Sequence, residues 1–89
     1  MRKHLDIKIS GFVQGVTFRQ SAKTEADKLS LSGIVKNLPG GFVYIEAEGE
    51  EKDLEACLAW CHEGPNFAKV ENVHTQSGPL KNYRGFSIE

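Results

Sequence analysis

Leu5, Ile7 and Ile9 alternate with Asp6, Lys8 and Ser10, the period-two pattern of a strand buried on one face. The alternation stops at Gly11, and a loop with a second glycine at Gly15 follows. Beyond it the period changes. Phe18, Ala22, Ala26 and Leu29 are spaced four, four and three apart, which predicts a helix with Arg19, Lys23, Glu25 and Asp27 mostly toward water. Gly33, just past the last turn, is a candidate for the helix C-cap. Ile34–Leu38 and Phe42–Glu48 predict two strands joined by Pro39-Gly40-Gly41. Proline presets φ and glycine accepts positive φ, so the connection is a hairpin. In the second of these strands Val43, Ile45 and Ala47 share one face, with Phe42, Tyr44, Glu46 and Glu48 on the other.

Helical spacing returns at Leu54, Cys57, Leu58 and Cys61. Asp53 and Glu55 suit the positive end of this second helix, and Gly64-Pro65 closes it. Ala68–Thr75 predicts a fourth strand, in which Val70 and Val73 fall on opposite faces unless a bulge intervenes. A turn-rich stretch, Gln76–Gly85, leads to a short terminal strand at Phe86–Ile88. The order is β-α-β-β-α-β with an extra C-terminal strand. It predicts an α+β, ferredoxin-like sandwich: an antiparallel sheet with both helices on one face. Since this fold hosts many unrelated activities, function has to come from the site.

At 89 residues, the chain suffices for one compact domain, and residues 1–89 are read as a single unit. A formal charge of −1 argues against nucleic-acid binding and against an anionic membrane surface, both of which need a basic excess. The basic start Met1–His4 is not followed by the apolar run of a signal peptide, and no stretch reaches the ~18 apolar residues of a membrane span. Two cysteines without an export signal predict a reducing, cytoplasmic setting.

The most informative segment is Gly11-Phe12-Val13-Gln14-Gly15-Val16-Thr17-Phe18-Arg19. A glycine-containing loop that runs into a helix start exposes backbone N–H groups without intrahelical partners, and the helix end adds positive potential. Arg19 brings a permanent charge and a planar fork of donors suited to phosphate oxygens. On these grounds alone the alternative stands that Gly15 merely turns the chain and Arg19 is solvated. Asn37, likewise, reads on these grounds first as a turn promoter ahead of Leu38-Pro39-Gly40.

The run resembles the acylphosphatase signature at each of its fixed positions, Gly11, Val13, Gln14, Gly15, Val16, Phe18 and Arg19. A second element of that family, Gly-x-Val-x-Asn ahead of a hairpin, is matched by Gly33-Ile34-Val35-Lys36-Asn37. Weaker agreements occur at Val43, Glu46, Gly49, Gly64-Pro65 and Gly85-Phe86, so the resemblance spans nearly the whole chain. It implies an enzyme that hydrolyses the carboxyl–phosphate bond of acyl phosphates to a carboxylate and inorganic phosphate. By position, Arg19 and the loop amides of Gln14, Gly15, Val16, Thr17 and Phe18 would hold the phosphoryl oxygens, and Asn37 would orient the attacking water. Neither a metal nor another cofactor is implied. The expected partner is a small acyl phosphate, and the expected state a monomer. Thr17 stands where the signature often has glycine; its hydroxyl would either donate to phosphate or crowd the loop. The chain ends Phe86-Ser87-Ile88-Glu89, where many members finish on an aromatic or basic residue.

Other candidates carry less. Cys57 and Cys61 lie on the apolar stripe with Leu54 and Leu58, so they are expected to be buried and structural, not metal ligands with His62. His4, His62 and His74 share no motif spacing and are expected at the surface. The acidic stretch Glu46–Glu55 is expected to be a solvated edge plus a helix start. Phe42 and Tyr44 could stack bases as in an RNA-recognition sheet, but the basic-glycine-aromatic pattern of that class is missing.

Overall fold

A five-stranded sheet in the order β4-β1-β3-β2-β5 forms one layer of the molecule. The computed structural model describes residues 1–89 as β1 (Arg2–Phe12), α1 (Phe18–Lys28), β2 (Ser32–Leu38), β3 (Phe42–Glu50), α2 (Glu51–Glu63), β4 (Lys69–Gly78) and β5 (Phe86–Ile88). The alternation in β1 sets its pairing: Ile7 lies opposite Ile45 and Ile9 opposite Val43, while Val35 of β2 flanks Ile45 from the other side. Directly opposed residues point to the same face, so these side chains make one apolar layer. Phe18, Ala22 and Ala26 of α1 and Leu54, Cys57 and Cys61 of α2 pack on it as a single buried cluster. Burying each large aliphatic or aromatic side chain contributes about 1.5–3 kcal/mol, and this layer is what fixes both helices to one side of the sheet. The two cysteines are buried and unoxidised members of it. None of the helices is long and apolar enough to cross a membrane.

The bulge anticipated in β4 is present. Asn72 pairs with Ser10 but Val70 pairs with Gly11, so Glu71 is the extra residue. Val70 and Val73 therefore both turn toward the core, where each is partly buried. Gly11 belongs to this feature: a Cβ there would lie 2.1 Å from the Lys69 carbonyl oxygen.

Four expectations need correction. The sheet is mixed, not antiparallel throughout, because β5 pairs in parallel with β2, Phe86 beside Gly33 and Ile88 beside Val35. A chain that leaves β4 and doubles back over the sheet necessarily runs in the direction of β2. Gly33 is not a helix cap: α1 ends with Leu29 as its C-cap, and Ser30 takes the left-handed conformation. Gly33 instead sits in β2, where a Cβ would come 1.8 Å from the Glu46 carbonyl oxygen. His4, expected at the surface, is buried at 4% exposure. Glu46 and Glu48, expected to be solvated, are 6% and 0% exposed. These last three lie on the sheet face away from the helices, and residues 79–85 cover them. The backbone N–H groups of Lys81, Asn82 and Tyr83 all donate to the Glu48 carboxylate, at 2.6, 2.9 and 3.2 Å.

Candidate active site

β1 delivers the chain into Val13-Gln14-Gly15-Val16-Thr17, and α1 begins at Phe18. Phe18 is a core residue, 1% exposed, with its ring edge-on to Trp60 at a centroid distance of 5.2 Å. That contact pins the first turn of α1. Gly15 has φ 77° and Thr17 φ 62°. At Gly15 a side chain would meet nothing within 4 Å, so the position is constrained by its backbone conformation, not by space. Thr17 is the N-cap residue in the left-handed region, and its side chain makes no capping bond. Its hydroxyl donates back to the Val16 carbonyl instead.

The consequence is a set of unused donors. The N–H groups of Gly15, Thr17, Phe18, Arg19 and Gln20 donate to no backbone carbonyl, and none meets a side-chain acceptor. Such a cluster at the positive end of a helix suits an anion.

A cavity of about 250 Å³ opens here, lined by Gly15, Thr17, Phe18, Arg19 and Asn37 together with Val13, Gln20 and Ile88. No Asp or Glu side chain is among these residues. The Arg19 guanidinium is exposed; Nη1 makes only a long 3.5 Å contact to the Glu89 main-chain oxygen. Asn37 reaches the same cavity from β2. It is paired with Val43, so its side chain points to the helix-side face one step beyond the end of the apolar layer. Its Oδ1 is buried without a hydrogen-bond partner. Buried amide oxygens are normally paired, so this one keeps accepting capacity that the fold leaves unused.

Two of the expected residues stand slightly apart. The Gln14 side chain ties the loop to the β2–β3 hairpin, its Nε2 donating to the carbonyls of Leu38 at 3.0 Å and Phe42 at 2.9 Å. It thereby holds the loop beside Asn37. The Val16 side chain lines a neighbouring cavity with Pro65 and Phe67. Gln20 is not singled out by the sequence, and Ile88 enters only within the Phe86–Glu89 terminus, whose departure from the family pattern bears on the rim of the site; its place beside the loop depends on the parallel pairing of β5. Gln20 carries the first-turn spacing of α1 but no signature.

One other group of side chains presents ligand atoms within 4.8 Å of one another: His4, Asp6 and Glu46. His4 and Glu46 are engaged with protein partners through both of their polar atoms, and Asp6 through Oδ1. His4 Nδ1 lies 2.7 Å from Glu48 and Nε2 2.7 Å from Asp6, while Glu46 accepts from Tyr44 at 2.9 Å, from Tyr83 at 2.8 Å and from Lys81 Nζ at 2.8 Å. Burial alone would push the His4 pKa down, but the bonds to Glu48 and Asp6 carry it above its usual value. Burial likewise opposes ionisation of Glu48 and Glu46, and their hydrogen bonds to Lys81, His4, Tyr83 and Tyr44 hold both below the usual carboxylate range.

Fold and site together define a ferredoxin-like α+β domain with an anion cradle at the junction of β1 and α1. The acylphosphatase family model matches residues 5–88. An acylphosphatase of Nocardioides is 41% identical over 88 residues, covering 99% of this chain and 89% of its relative. Among solved structures, the acylphosphatase of Coxiella burnetii superposes with a TM-score of 0.96 at 36% identity, over 99% of this chain and 93% of the other. That of Bacillus subtilis gives 0.95 at 38%, over 100% and 99%. The chain belongs to the acylphosphatase family, hydrolases that act on acyl phosphates.

Proposed function

We propose that this chain hydrolyses acyl phosphates with Arg19 and the loop amides holding the phosphoryl group and Asn37 orienting the water, without a metal ion. The observation that carries this reading is the buried, unpartnered Asn37 Oδ1 in the cavity that Arg19 and the free amides share. The phosphoryl oxygens accept from the amides of Gly15 to Gln20 and from the Arg19 guanidinium. Asn37 Oδ1 accepts a hydrogen bond from a water and aims its lone pair at phosphorus. The water oxygen bonds to phosphorus as the bond from phosphorus to the bridging oxygen breaks, and the leaving group departs as a carboxylate. Neither an amide nor a guanidinium takes a proton at neutral pH, so the water's proton passes to a phosphoryl oxygen, giving dihydrogen phosphate from a dianionic substrate. The transition state is loose and its leaving group good, so positioning and charge stabilisation suffice.

The test is phosphate release from acetyl phosphate by the purified chain, with and without chelator, beside Asn37→Ala. Hydrolysis undiminished by chelator is expected. Asn37→Ala should lower turnover on the order of 10²-fold, the loss typical of one positioned polar group, while inhibition by inorganic phosphate is retained. Phosphate binding without turnover by the unaltered chain would make the cradle a binding module. Wild-type rates in Asn37→Ala would remove the residue from the mechanism.

A further inference from the structure

Phe67 is the least accounted-for residue of the fold. Its side chain is 88% exposed, and its backbone has φ 74°, a conformation that is a genuine outlier for a bulky aromatic. Folding recovers little from the ring in that position, where glycine or asparagine would be less strained. The loop that carries it, between α2 and β4, lies across from the β1–α1 loop. A cavity of about 580 Å³ separates the two, with Phe67 and Pro65 on one side and Val16 on the other. Gly15 and Thr17 line this cavity and also the phosphate cradle, so the two spaces are neighbours on either side of the same short stretch of loop.

A phosphoryl group held by the loop amides and Arg19 leaves its acyl substituent to exit the cradle. On the Gly15–Thr17 side it meets the ledge formed by Val16, Pro65 and Phe67. No charged side chain lines that space, which disfavours a second phosphate or carboxylate on the acyl group. From this adjacency we infer that Phe67 is a specificity-determining residue that covers the acyl group, so that an aromatic acyl group gains a contact there that an acetyl group does not. The inference rests on the hydrolase reading above. An aromatic acyl group packs on Phe67 edge-to-face or offset and closes the cavity from water, whereas an acetyl group is too short to reach the ring.

The experiment compares kcat/KM for benzoyl phosphate and acetyl phosphate in the unaltered chain, Phe67→Ala, Phe67→Leu and Ile88→Ala. The ratio of the two substrates should fall by roughly three- to tenfold in Phe67→Ala, the usual range for losing one aromatic pair. Phe67→Leu should fall in between, since it keeps an apolar surface but not the ring. The change should appear in KM for benzoyl phosphate, and the inhibition constant of inorganic phosphate should not move. An unchanged ratio in Phe67→Ala, with both substrates still hydrolysed, overturns the ledge and leaves the hydrolase reading intact. A ratio that collapses only in Ile88→Ala overturns it too, by placing the acyl group against β5. Failure of the unaltered chain to hydrolyse either substrate removes both readings.

Discussion

Two polar regions of this molecule are built in opposite ways. The cradle at the start of α1 holds an exposed guanidinium, backbone donors without acceptors and one buried amide oxygen without a donor. The knot on the far face of the sheet holds His4, Glu46 and Glu48, all buried, with each charged atom engaged by the protein. Val43, the partner of Asn37, and Glu48 are five positions apart on β3, about 17 Å at ~3.4 Å per residue. The knot carries perturbed ionisations at His4, Glu46 and Glu48 and the cluster of potential metal ligands, yet it is closed. The cradle is open. Perturbed ionisation marks functional sites only probabilistically; here the better guide is hydrogen-bonding capacity that the fold leaves unspent.

The first way to break this contrast is to remove Glu48. Glu48→Ala leaves three backbone N–H groups and a charged His4 buried without their acceptor. The expected cost is about 3–5 kcal/mol, read as a fall in melting temperature of at least ~12 °C. Below the melt, inhibition by inorganic phosphate should match the unaltered chain, because the cradle shares no residue with the knot. Melting unchanged by Glu48→Ala would show that the strap of residues 79–85 holds by other means.

Arg19→Ala tests the other region and should separate the two readouts in the opposite sense. The expected loss in kcat/KM is on the order of 10²–10³, with weaker phosphate inhibition. Stability should stay within about 0.5 kcal/mol, as for an exposed side chain without structural partners. A melting temperature that fell with activity would make Arg19 part of the scaffold.

Asn37→Asp sharpens the comparison by placing in the cradle the charge type that the knot tolerates. The knot neutralises its carboxylates with His4, Lys81 and three amides. In the cradle an added carboxylate would repel the phosphoryl group and compete for Arg19. Inhibition by inorganic phosphate should weaken by about tenfold or more, given the strength of unit charges a few ångströms apart near a protein surface. Equal phosphate affinity in Asn37→Asp would mean that Asn37 lies farther from the bound anion than the proposed mechanism requires.

What could be read from the sequence divides along the same line. The element order, the bulge in β4 and the cradle were legible because each is local: an alternation, a broken alternation, and a glycine loop running into a helix. The knot was not legible. His4 and Glu48 face each other across 44 positions, and both read as solvated because burial of the outer sheet face depends on where residues 79–85 return. The same return decides that β5 runs parallel to β2 and brings Ile88 to the cradle. Phe67 escaped for a related reason, since an exposed aromatic in a turn-rich loop has no periodicity to declare it. The family signature singled out the Gly11–Arg19 loop without distinguishing its parts. Gly11 serves the bulge, Gln14 the hairpin and Phe18 both the core and the cavity wall, which Val13, Gly15, Thr17 and Arg19 share.

The smallest expected effect is the pH dependence of the knot, and its sign follows from which groups are shifted. His4 titrates above its ordinary 6.5 when folded, so its contribution to stability is complete below that value and is lost as pH rises through the folded value. Glu46 and Glu48 titrate below their ordinary 4.5, so theirs is present above that value and is lost as pH falls through the folded values. The groups facing His4 are Asp6, Glu46, Glu48 and, through Glu48, Arg2; Lys81, Tyr44 and Tyr83 close the rim. Urea midpoints measured across this range should therefore be highest between about pH 4.5 and 6.5 as far as the knot is concerned. His4→Gln should flatten the alkaline decline and weaken the Glu48 share of the acid one, leaving the share that Glu46 owes to Lys81, Tyr83 and Tyr44. Turnover should not follow this profile, because no Asp, Glu or His side chain lines the cradle. An activity profile that tracked the urea midpoints, and changed with His4→Gln, would show that the two regions are coupled through β5.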